Sequence, residues 1–283
     1  MRLRPRRTSA LAAVGAGFLV LGTSVGLVPA QAAPQQTSTY VSLGDSLAFG
    51  YQPDLVAAHD VNPADYVSYA EDYAAMRPHV TLANFGCPGE RTDTLIQGGC
   101  PWIQSGAPTH MPFGGASQLT AALAYLGAHP DTSLVTLNIG SNDLLAVVGQ
   151  CVGAADPQSC LQQALPGALG SVAHNIAVIL TAVHAAAPHA QLVVFNLYNP
   201  LAFSLPGSDA LIAQTNAVIT QVAQAFGARV ADAFTVMNHA AGSPAERAFV
   251  CSRTWECTPY HNIHPTDLGY RQMAVALLHS LGD

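Results

Sequence analysis

The chain has 283 residues, half of them hydrophobic, and its ten basic residues are all arginines. Against these stand 17 acidic residues, for a formal net charge of −7, which argues against nucleic acid or an anionic membrane as the main partner. The lack of lysine excludes mechanisms that need a Schiff-base lysine or the phosphate-binding lysine of a P-loop.

Residues 1–32 have the pattern of a signal peptide. Arg2, Arg4, Arg6 and Arg7 precede an uncharged run from Leu11 to about Val28, and Ala30-Gln31-Ala32 follows as a small-x-small cleavage pattern. A membrane anchor is the competing interpretation, because the run approaches the ~18 residues that span a bilayer. Cleavage predicts a secreted chain of residues 33–283 that carries six arginines against 17 acids and has no stable membrane anchor. The pair Arg6-Arg7 leaves both the general and the twin-arginine export route open.

Short apolar runs alternate with alanine-rich runs of helical spacing along the rest of the chain. The apolar runs are continuous, as in strands that helices cover on both faces of a parallel sheet. A last helix is expected after Pro265, with Thr266 as its N-cap, and extends to about Leu281. The pattern predicts one three-layer α/β/α domain with a central parallel sheet over residues 33–283. The predicted strands are 39–43, 80–85, 134–139, 191–196 and 229–232, and the predicted helices are 64–77, 116–126, 161–187 and 209–226.

Six cysteines fall into three local couples. An even number in an exported chain predicts disulfides, although six cysteines allow fifteen connectivities. Zinc binding is the alternative, but the chain contains no C-x-x-C pair, and we expect no metal or other cofactor. The simplest pairing is Cys87–Cys100, Cys151–Cys160 and Cys251–Cys257.

Polar and glycine-rich clusters begin where three of the predicted strands stop. They are Gly44-Asp45-Ser46, Asn84-Phe85-Gly86 and Gly140-Ser141-Asn142-Asp143. Parallel sheets bind ligands outside the carboxyl ends of their strands, so the three clusters are expected to face one crevice. Ser46 suits a nucleophile there, although a serine after a strand is often only a helix cap.

Four sequence blocks follow one another along the chain: residues 40–47 (YVSLGDSL), 84–92 (NFGCPGERT), 140–143 (GSND) and 264–266 (HPT). In this order they resemble the blocks of the SGNH (GDSL) hydrolases, in particular secreted actinobacterial lipases and esterases. The resemblance spans residues 39 to 275 and implies the SGNH/flavodoxin-like form of the α/β/α fold. It also implies an ester hydrolase that acts through an acyl-enzyme.

The resemblance implies a role for each matching residue. Ser46 is the expected nucleophile and His264 the general base. The main-chain N–H groups of Ser46 and Gly86 and the side-chain amide of Asn142 are expected to form the oxyanion hole. Each has an alternative, since Gly86 suits a turn and Asn142 suits a helix cap. Asp45 and Asp143 are expected to have structural roles only.

One position departs from the family pattern. An Asp three residues before the histidine usually orients the imidazole, but His261 stands there. The ring still needs an acceptor to fix its tautomer. We expect a backbone carbonyl, of Asn262 or His261, to orient His264 in a Ser-His dyad; a triad completed by a distant Asp is the alternative. The pair His261 and His264 also suggests a metal, but no third ligand has suitable spacing.

The predicted substrate is a lipid or short-chain acyl ester, because the neighbouring loops are apolar and few charges are present to bind a polar substrate. Removal of O-acetyl groups from a carbohydrate is the nearest alternative. Thioester or peptide hydrolysis would use the same chemistry. A non-catalytic secreted binding protein on this fold is a further alternative, although Ser46, Asn142 and His264 are all present. We expect a monomer with a small-molecule or lipid ester as its partner and no nucleic acid.

Overall fold

A computed structural model describes residues 37–282. The predicted signal peptide lies outside this range. Five strands and twelve α-helices alternate within it. In chain order they are β1 (Ser38–Gly44), α1 (Ser46–Phe49), α2 (Pro53–Ala57), α3 (Tyr69–Ala75), β2 (Val80–Asn84), α4 (Thr92–Gln97), α5 (Pro101–Gln104), α6 (Gln118–Ala128), β3 (Thr132–Asn138), α7 (Ser141–Val152), α8 (Pro157–Ala186), β4 (Gln191–Phe195), α9 (Ser208–Ala225), β5 (Arg229–Ala231), α10 (Ala233–Asn238), α11 (Glu246–Arg253) and α12 (Asp267–Leu281).

The strands form one parallel sheet in the order β2-β1-β3-β4-β5. The chain leaves β1 to one side to form β2 and then returns past β1 to form β3. The order therefore reverses between β1 and β3, and such a switch point opens a crevice at the carboxyl ends of the two strands. Ser46 follows β1 and Asn142 follows β3, so the fold places both residues at this crevice.

Two hydrophobic clusters cover the two faces of the sheet. Val41 and Leu43 of β1 point into the cluster formed with α6, α8 and α9. Tyr40, the residue before Val41, points to the other face, where α3, α10 and α12 pack. Burial on both faces explains why the strands are continuous apolar runs.

The predicted architecture is confirmed, and all five strands lie within two residues of their predicted bounds. Thr266 caps α12 as predicted, since its side chain accepts from the Gly269 N–H. The predicted helix 64–77 is wrong in extent: a 3-10 turn at Pro63–Asp65 precedes a separate helix. Ser68 breaks the pattern because its side chain caps α3 together with Glu71 in a capping box.

The three predicted disulfides are confirmed: Cys87–Cys100, Cys151–Cys160 and Cys251–Cys257. Each closes a loop of 13 residues or fewer in sequence separation. Among the described residues, α8 is long and apolar enough by length and composition to cross a membrane. One side of α8, including Val172, Ile176 and Val183, is buried in the core beside the sheet.

Candidate active site

Ser46 lies at the first turn after β1, where its hydroxyl is free of any capping role. Asp45 is the N-cap of α1, and its Oδ1 accepts from the Leu47 N–H at 2.9 Å. This cap assigns Asp45 the expected structural role and excludes the interpretation of Ser46 as a cap. Gln118 fixes the strand end just before them, since its side chain bonds both the N–H and the carbonyl of Gly44, at 2.7 and 2.9 Å.

His264 reaches Ser46 from a loop 218 residues away in sequence. Its Nε2 lies 2.8 Å from Ser46 Oγ. The Trp255 N–H donates to the His264 carbonyl at 2.9 Å, and the Tyr198 hydroxyl donates to the Ile263 carbonyl at 2.7 Å. The Cys251–Cys257 disulfide closes the chain segment just before this loop. The structure thus brings the two predicted residues into direct hydrogen-bond contact.

The group that orients the imidazole differs from the predicted one. His264 Nδ1 lies 2.6 Å from the side-chain Oδ1 of Asn262, which replaces the predicted main-chain carbonyl of Asn262 or His261. The same Oδ1 accepts from the His264 N–H at 3.0 Å, which makes an Asx turn. That turn carries the side-chain oxygen to the imidazole. His261 is exposed, and its left-handed backbone (φ 43°) leads the chain round to Asn262.

The sequence contained a signal for this turn that our prediction missed. Asn side chains commonly accept a hydrogen bond from the backbone two residues further on, and Asn262 stands two residues before His264. We considered only main-chain carbonyls and acidic side chains as acceptors. The amide oxygen is neutral, so His264 has an oriented but uncharged partner.

Burial lowers the pKa of His264 from its usual 6.5 to about 4. The imidazole is consequently neutral at pH 7, and with Nδ1 donating to Asn262 its Nε2 is the acceptor that faces Ser46 Oγ. A neutral Nε2 acceptor at 2.8 Å from a hydroxyl has the geometry required of a general base.

Gly86 does not have the geometry predicted for an oxyanion donor. Its single N–H already donates to Asn84 Oδ1 at 2.8 Å in a buried position. A Cβ on Gly86 would lie 2.3 Å from the Phe49 nitrogen, so the residue is glycine because the backbone of α1 passes close to it. The structure therefore corrects this assignment: Gly86 packs the loop after β2 against α1.

Gly89, which our sequence reasoning passed over, presents a free N–H instead. Residues 87–90 form a β-turn in which the Glu90 N–H donates to the Cys87 carbonyl at 3.1 Å. Gly89 has φ 82°, as the third residue of a type II turn after proline requires. Within residues 37–282 the N–H groups of Gly89 and Ser46 donate no hydrogen bond. The dipeptide Pro88-Gly89 is the signal that could have identified this turn.

Asn142 lies in the first turn of α7 beside the same loop. Its Nδ2 donates to the Glu90 carbonyl at 2.9 Å, next to the Gly89 peptide, and its second hydrogen is available to another acceptor. The N-cap of α7 is Gly140, so Asn142 is not the cap that the alternative interpretation supposed. Asn142, Ser46 and His264 line one cleft.

Buried carboxyl groups support this site without facing the cleft. Burial raises the pKa of Asp45 and of Glu90 to about 7 each. The Glu90 carboxylate accepts from Gln118 at 3.2 Å, which connects the 87–90 turn to the strand end before Ser46. Asp143 accepts from the Thr92 N–H at 3.0 Å and so fixes the start of α4, a structural role as expected.

The cleft beside Ser46 is strongly apolar and has a volume of about 750 Å³, counting its open mouth. It lies between α7, the segment after β4 and the first turns of α9. Its polar lining includes Ser46, Asn142 and His264, together with Ser141, Tyr198, Asn199 and Ser208. Its apolar lining is Leu47, Leu144, Leu145, Val148, Leu197, Pro200, Leu201, Leu205, Leu211, Ile212 and Ile263.

Two other features of the sequence lie outside this cleft. Trp255, in the segment before His264, lines a separate surface depression with Asp267 and Arg271. Cys87, Glu90 and Cys100 lie close enough to hold a metal ion, but the two sulfurs are joined in a disulfide and are not available as thiolate ligands.

Comparisons with known proteins agree with this fold. No curated protein matches the sequence. Among solved structures, the fold is similar to that of an extracellular lipase from Streptomyces rimosus (20% identity, TM-score 0.55, covering 86% of this chain and 100% of that one). It is also similar to a phospholipase A1 from Streptomyces albidoflavus (20%, 0.55, 86% and 99%) and to Axe2, an acetylxylan esterase from Geobacillus stearothermophilus (13%, 0.58, 88% and 95%).

The sequence itself matches a family model. Residues 42–272, which hold Ser46, the 87–90 turn, Asn142 and His264, match the model of the GDSL-like Lipase/Acylhydrolase family. The chain therefore belongs to this family and is a carboxylic ester hydrolase.

Proposed function

We propose that this protein is a secreted serine esterase that cleaves carboxylic esters with an apolar acyl group through an acyl-enzyme. The contact of 2.8 Å between Ser46 Oγ and His264 Nε2, in a mainly apolar cleft, carries the proposal. In the first step Nε2 takes the hydroxyl proton while Oγ attacks the ester carbonyl. The resulting imidazolium then returns the proton to the leaving alcohol, and water releases the acyl group by the reverse steps.

The oxyanion of the tetrahedral intermediate needs donors that are not already engaged. We assign this role to the N–H groups of Ser46 and Gly89 and to the second Nδ2 hydrogen of Asn142. Support comes from the hydrogen bond between Asn142 and the Glu90 carbonyl, which places the side-chain amide next to the 87–90 turn. A turn and a helix hold these donors in place before the reaction, so they need no reorganisation when the oxyanion forms.

The cleft favours an acyl chain over an acetyl group on a sugar. A lining of leucines, two isoleucines, one valine and one proline beyond the catalytic polar groups contributes hydrophobic binding for several methylenes, each worth about 0.8 kcal/mol when fully buried. An acetyl group would leave most of the cleft unfilled. Lipid or short-chain acyl esters are accordingly the proposed substrates, and removal of acetyl groups from carbohydrate is the competing outcome of the test below.

Secretion is supported by two features. The three disulfides are typical of proteins that fold in an oxidising compartment. The pattern of residues 1–32 is that of a cleavable leader.

Esters of graded chain length test the substrate assignment. We expect a higher kcat/KM for p-nitrophenyl octanoate than for p-nitrophenyl acetate or acetylated xylan. Leu145→Trp, a change at the half-exposed wall of the cleft, is expected to lower kcat/KM for the octanoate about tenfold or more and to leave the acetate within about twofold.

Val152→Trp is the matched control, because Val152 lies on the same helix, is 71% exposed and does not line the cleft. Labelling of Ser46 by a fluorophosphonate probe, located by peptide mass spectrometry, tests the nucleophile separately. Faster deacetylation of xylan than hydrolysis of any acyl ester would overturn the lipid assignment, and a chain that no probe labels would revive the non-catalytic alternative.

The low pKa of His264 predicts activity that persists into mild acid. Because His264 acts as a base only when neutral, kcat/KM should be maintained as the pH falls to about 5 and then decline as His264 is protonated near pH 4. Asn262→Asp would place a carboxylate against Nδ1 and favour the imidazolium, which raises the pKa of His264. We expect the acidic limb of the kcat/KM profile of Asn262→Asp to lie about 1 to 3 pH units higher than that of the natural chain.

The measurement is kcat/KM from pH 3.5 to 9 for both proteins. Asp45 and Glu90 have pKa values of about 7 in both proteins. Any change in kcat/KM caused by their ionisation therefore appears in both profiles and cancels in the comparison. An unchanged acidic limb in Asn262→Asp would contradict the assignment of Asn262 as the partner of His264.

A further inference from the structure

The ring of Tyr51 lies against the imidazole of His264. The two ring centroids are 4.3 Å apart, and the ring planes are inclined by 37°. Tyr51 is half-buried, and within the described chain its hydroxyl makes no hydrogen bond. The contact with His264 is therefore made by the aromatic ring and not by the phenol oxygen.

Tyr51 is held in this place by the turn that carries the nucleophile. Its N–H donates to the Ser46 carbonyl at 3.0 Å, and its carbonyl accepts from the Tyr270 hydroxyl at 2.9 Å. Trp102 meets the Tyr51 ring edge-on, with centroids 6.0 Å apart and planes inclined by 78°. The backbone hydrogen bonds of Tyr51 and the contact with Trp102 thus hold the ring in the site.

The reaction creates a positive charge on His264, and no carboxylate of residues 37–282 bonds this imidazole. When His264 takes the proton of Ser46, the imidazolium donates from Nδ1 to the neutral amide oxygen of Asn262. The groups that face it are Ser46, Asn262 and the Tyr51 ring. The Tyr198 hydroxyl is engaged with the Ile263 carbonyl, and the Tyr270 hydroxyl with the Tyr51 carbonyl. Burial is the cause of the low His264 pKa, with no carboxylate contributing among the described residues.

An aromatic ring carries partial negative charge on its face and attracts a cation within about 6 Å of its centroid. The distance of 4.3 Å to the imidazole lies within that range. The attraction exists only while the imidazole is charged, so it favours the transition state over the resting enzyme.

We propose that Tyr51 is a positioning residue for the reaction, whose ring holds the His264 imidazole toward Ser46 and stabilises the imidazolium in place of the missing carboxylate. This inference rests on the proposed function, since it requires His264 to act as the base. In the attack on the ester, one proton moves from Ser46 Oγ to His264 Nε2 and Oγ bonds the carbonyl carbon. The electron pair of the C=O π bond moves to the substrate oxygen, which becomes negative. Tyr51 itself gains and loses nothing.

A series of rings of nearly equal shape tests the proposal. Tyr51→Phe is expected to keep kcat within about twofold, because the ring is retained. Incorporation of 4-fluoro-, 3,5-difluoro- and 3,4,5-trifluorophenylalanine at position 51 progressively removes negative charge from the ring face. We expect kcat on p-nitrophenyl octanoate to fall at each step, and Tyr51→Leu to lose about 3- to 30-fold with KM little changed.

The titration of His264 in a covalent adduct adds a second measurement. An alkylboronic acid bound to Ser46 mimics the tetrahedral intermediate and keeps His264 protonated, and NMR follows that proton as the pH rises. We expect the proton to be lost at lower pH in the fluorinated series than in Tyr51→Phe. A purely structural ring would leave both kcat and this pH unchanged through the fluorinated series, and that result would overturn the proposal.

The fluorinated variants keep the shape of the ring, so the test stands even where Tyr51→Leu fails to fold. Failure of the inference is distinguishable from failure of the proposed function. If fluorophosphonate labels Ser46 and Ser46→Ala is inactive while the ring series is flat, only the role of Tyr51 is refuted.

Discussion

Ser46→Ala is expected to lower kcat for ester hydrolysis by about 10⁴- to 10⁶-fold, because it removes the atom that forms the acyl-enzyme. The hydroxyl bonds only His264 among the described residues, so the fold should be retained. The measurement is kcat on p-nitrophenyl octanoate, with the thermal midpoint as a check on folding. Ser141→Ala is the matched control, since Ser141 lines the same cleft and has no part in the proposed chemistry.

The double variant Ser46→Ala with His264→Ala sharpens this prediction. Because the two side chains act as one unit, the second change should cost little once the first is made. Independent, multiplicative losses would show that the two residues do not work together. Comparable activity of Ser46→Ala and the natural chain would refute Ser46 as the nucleophile.

Asn142→Ala is expected to lower kcat by about 10²- to 10³-fold, the usual effect of removing one oxyanion donor. The donated hydrogen is used only when the carbonyl oxygen becomes negative, so KM should change little. Steady-state kinetics on the same ester measure both constants.

Asn175→Ala is the control for this change. Asn175 lies on the neighbouring helix α8 and donates to the Thr92 hydroxyl at 3.0 Å, outside the cleft that holds Ser46. A rise in KM with unchanged kcat in Asn142→Ala would mean that Asn142 binds substrate in the ground state and does not serve the oxyanion.

Much of the fold followed from local patterns in the sequence. Continuous apolar runs such as 191–196 locate buried strands, because a strand covered on both faces has no need of polar alternation. The polar clusters after three of these runs predicted the position of the site, since parallel strands end at one edge of the sheet. The cysteine pairs were also predictable, because each couple brackets a short loop.

The predictions that differ from the structure are those that had to choose between chemically similar groups in one segment. Gly86 and Gly89 lie three residues apart in the same block; Pro88-Gly89 indicates a turn, but packing decides which of the two N–H groups stays free. The α1 backbone packs closely against Gly86, and the Gly86 N–H donates to Asn84. The turn at Gly89, in contrast, leaves the Gly89 N–H free. The predicted acceptor for His264 was a main-chain carbonyl, of Asn262 or His261, whereas in the structure it is the side-chain Oδ1 of Asn262.

The sequence by itself determined the parallel α/β architecture, the disulfides and the contact residues Ser46 and His264, because burial and strand ends leave local signatures. Only the tertiary structure decided which N–H groups stay unpaired and that Tyr51 lies against the His264 imidazole. These depend on distances between segments as far apart as residues 51 and 264, and hydrogen-bond partners across such separations have no periodic pattern to reveal them.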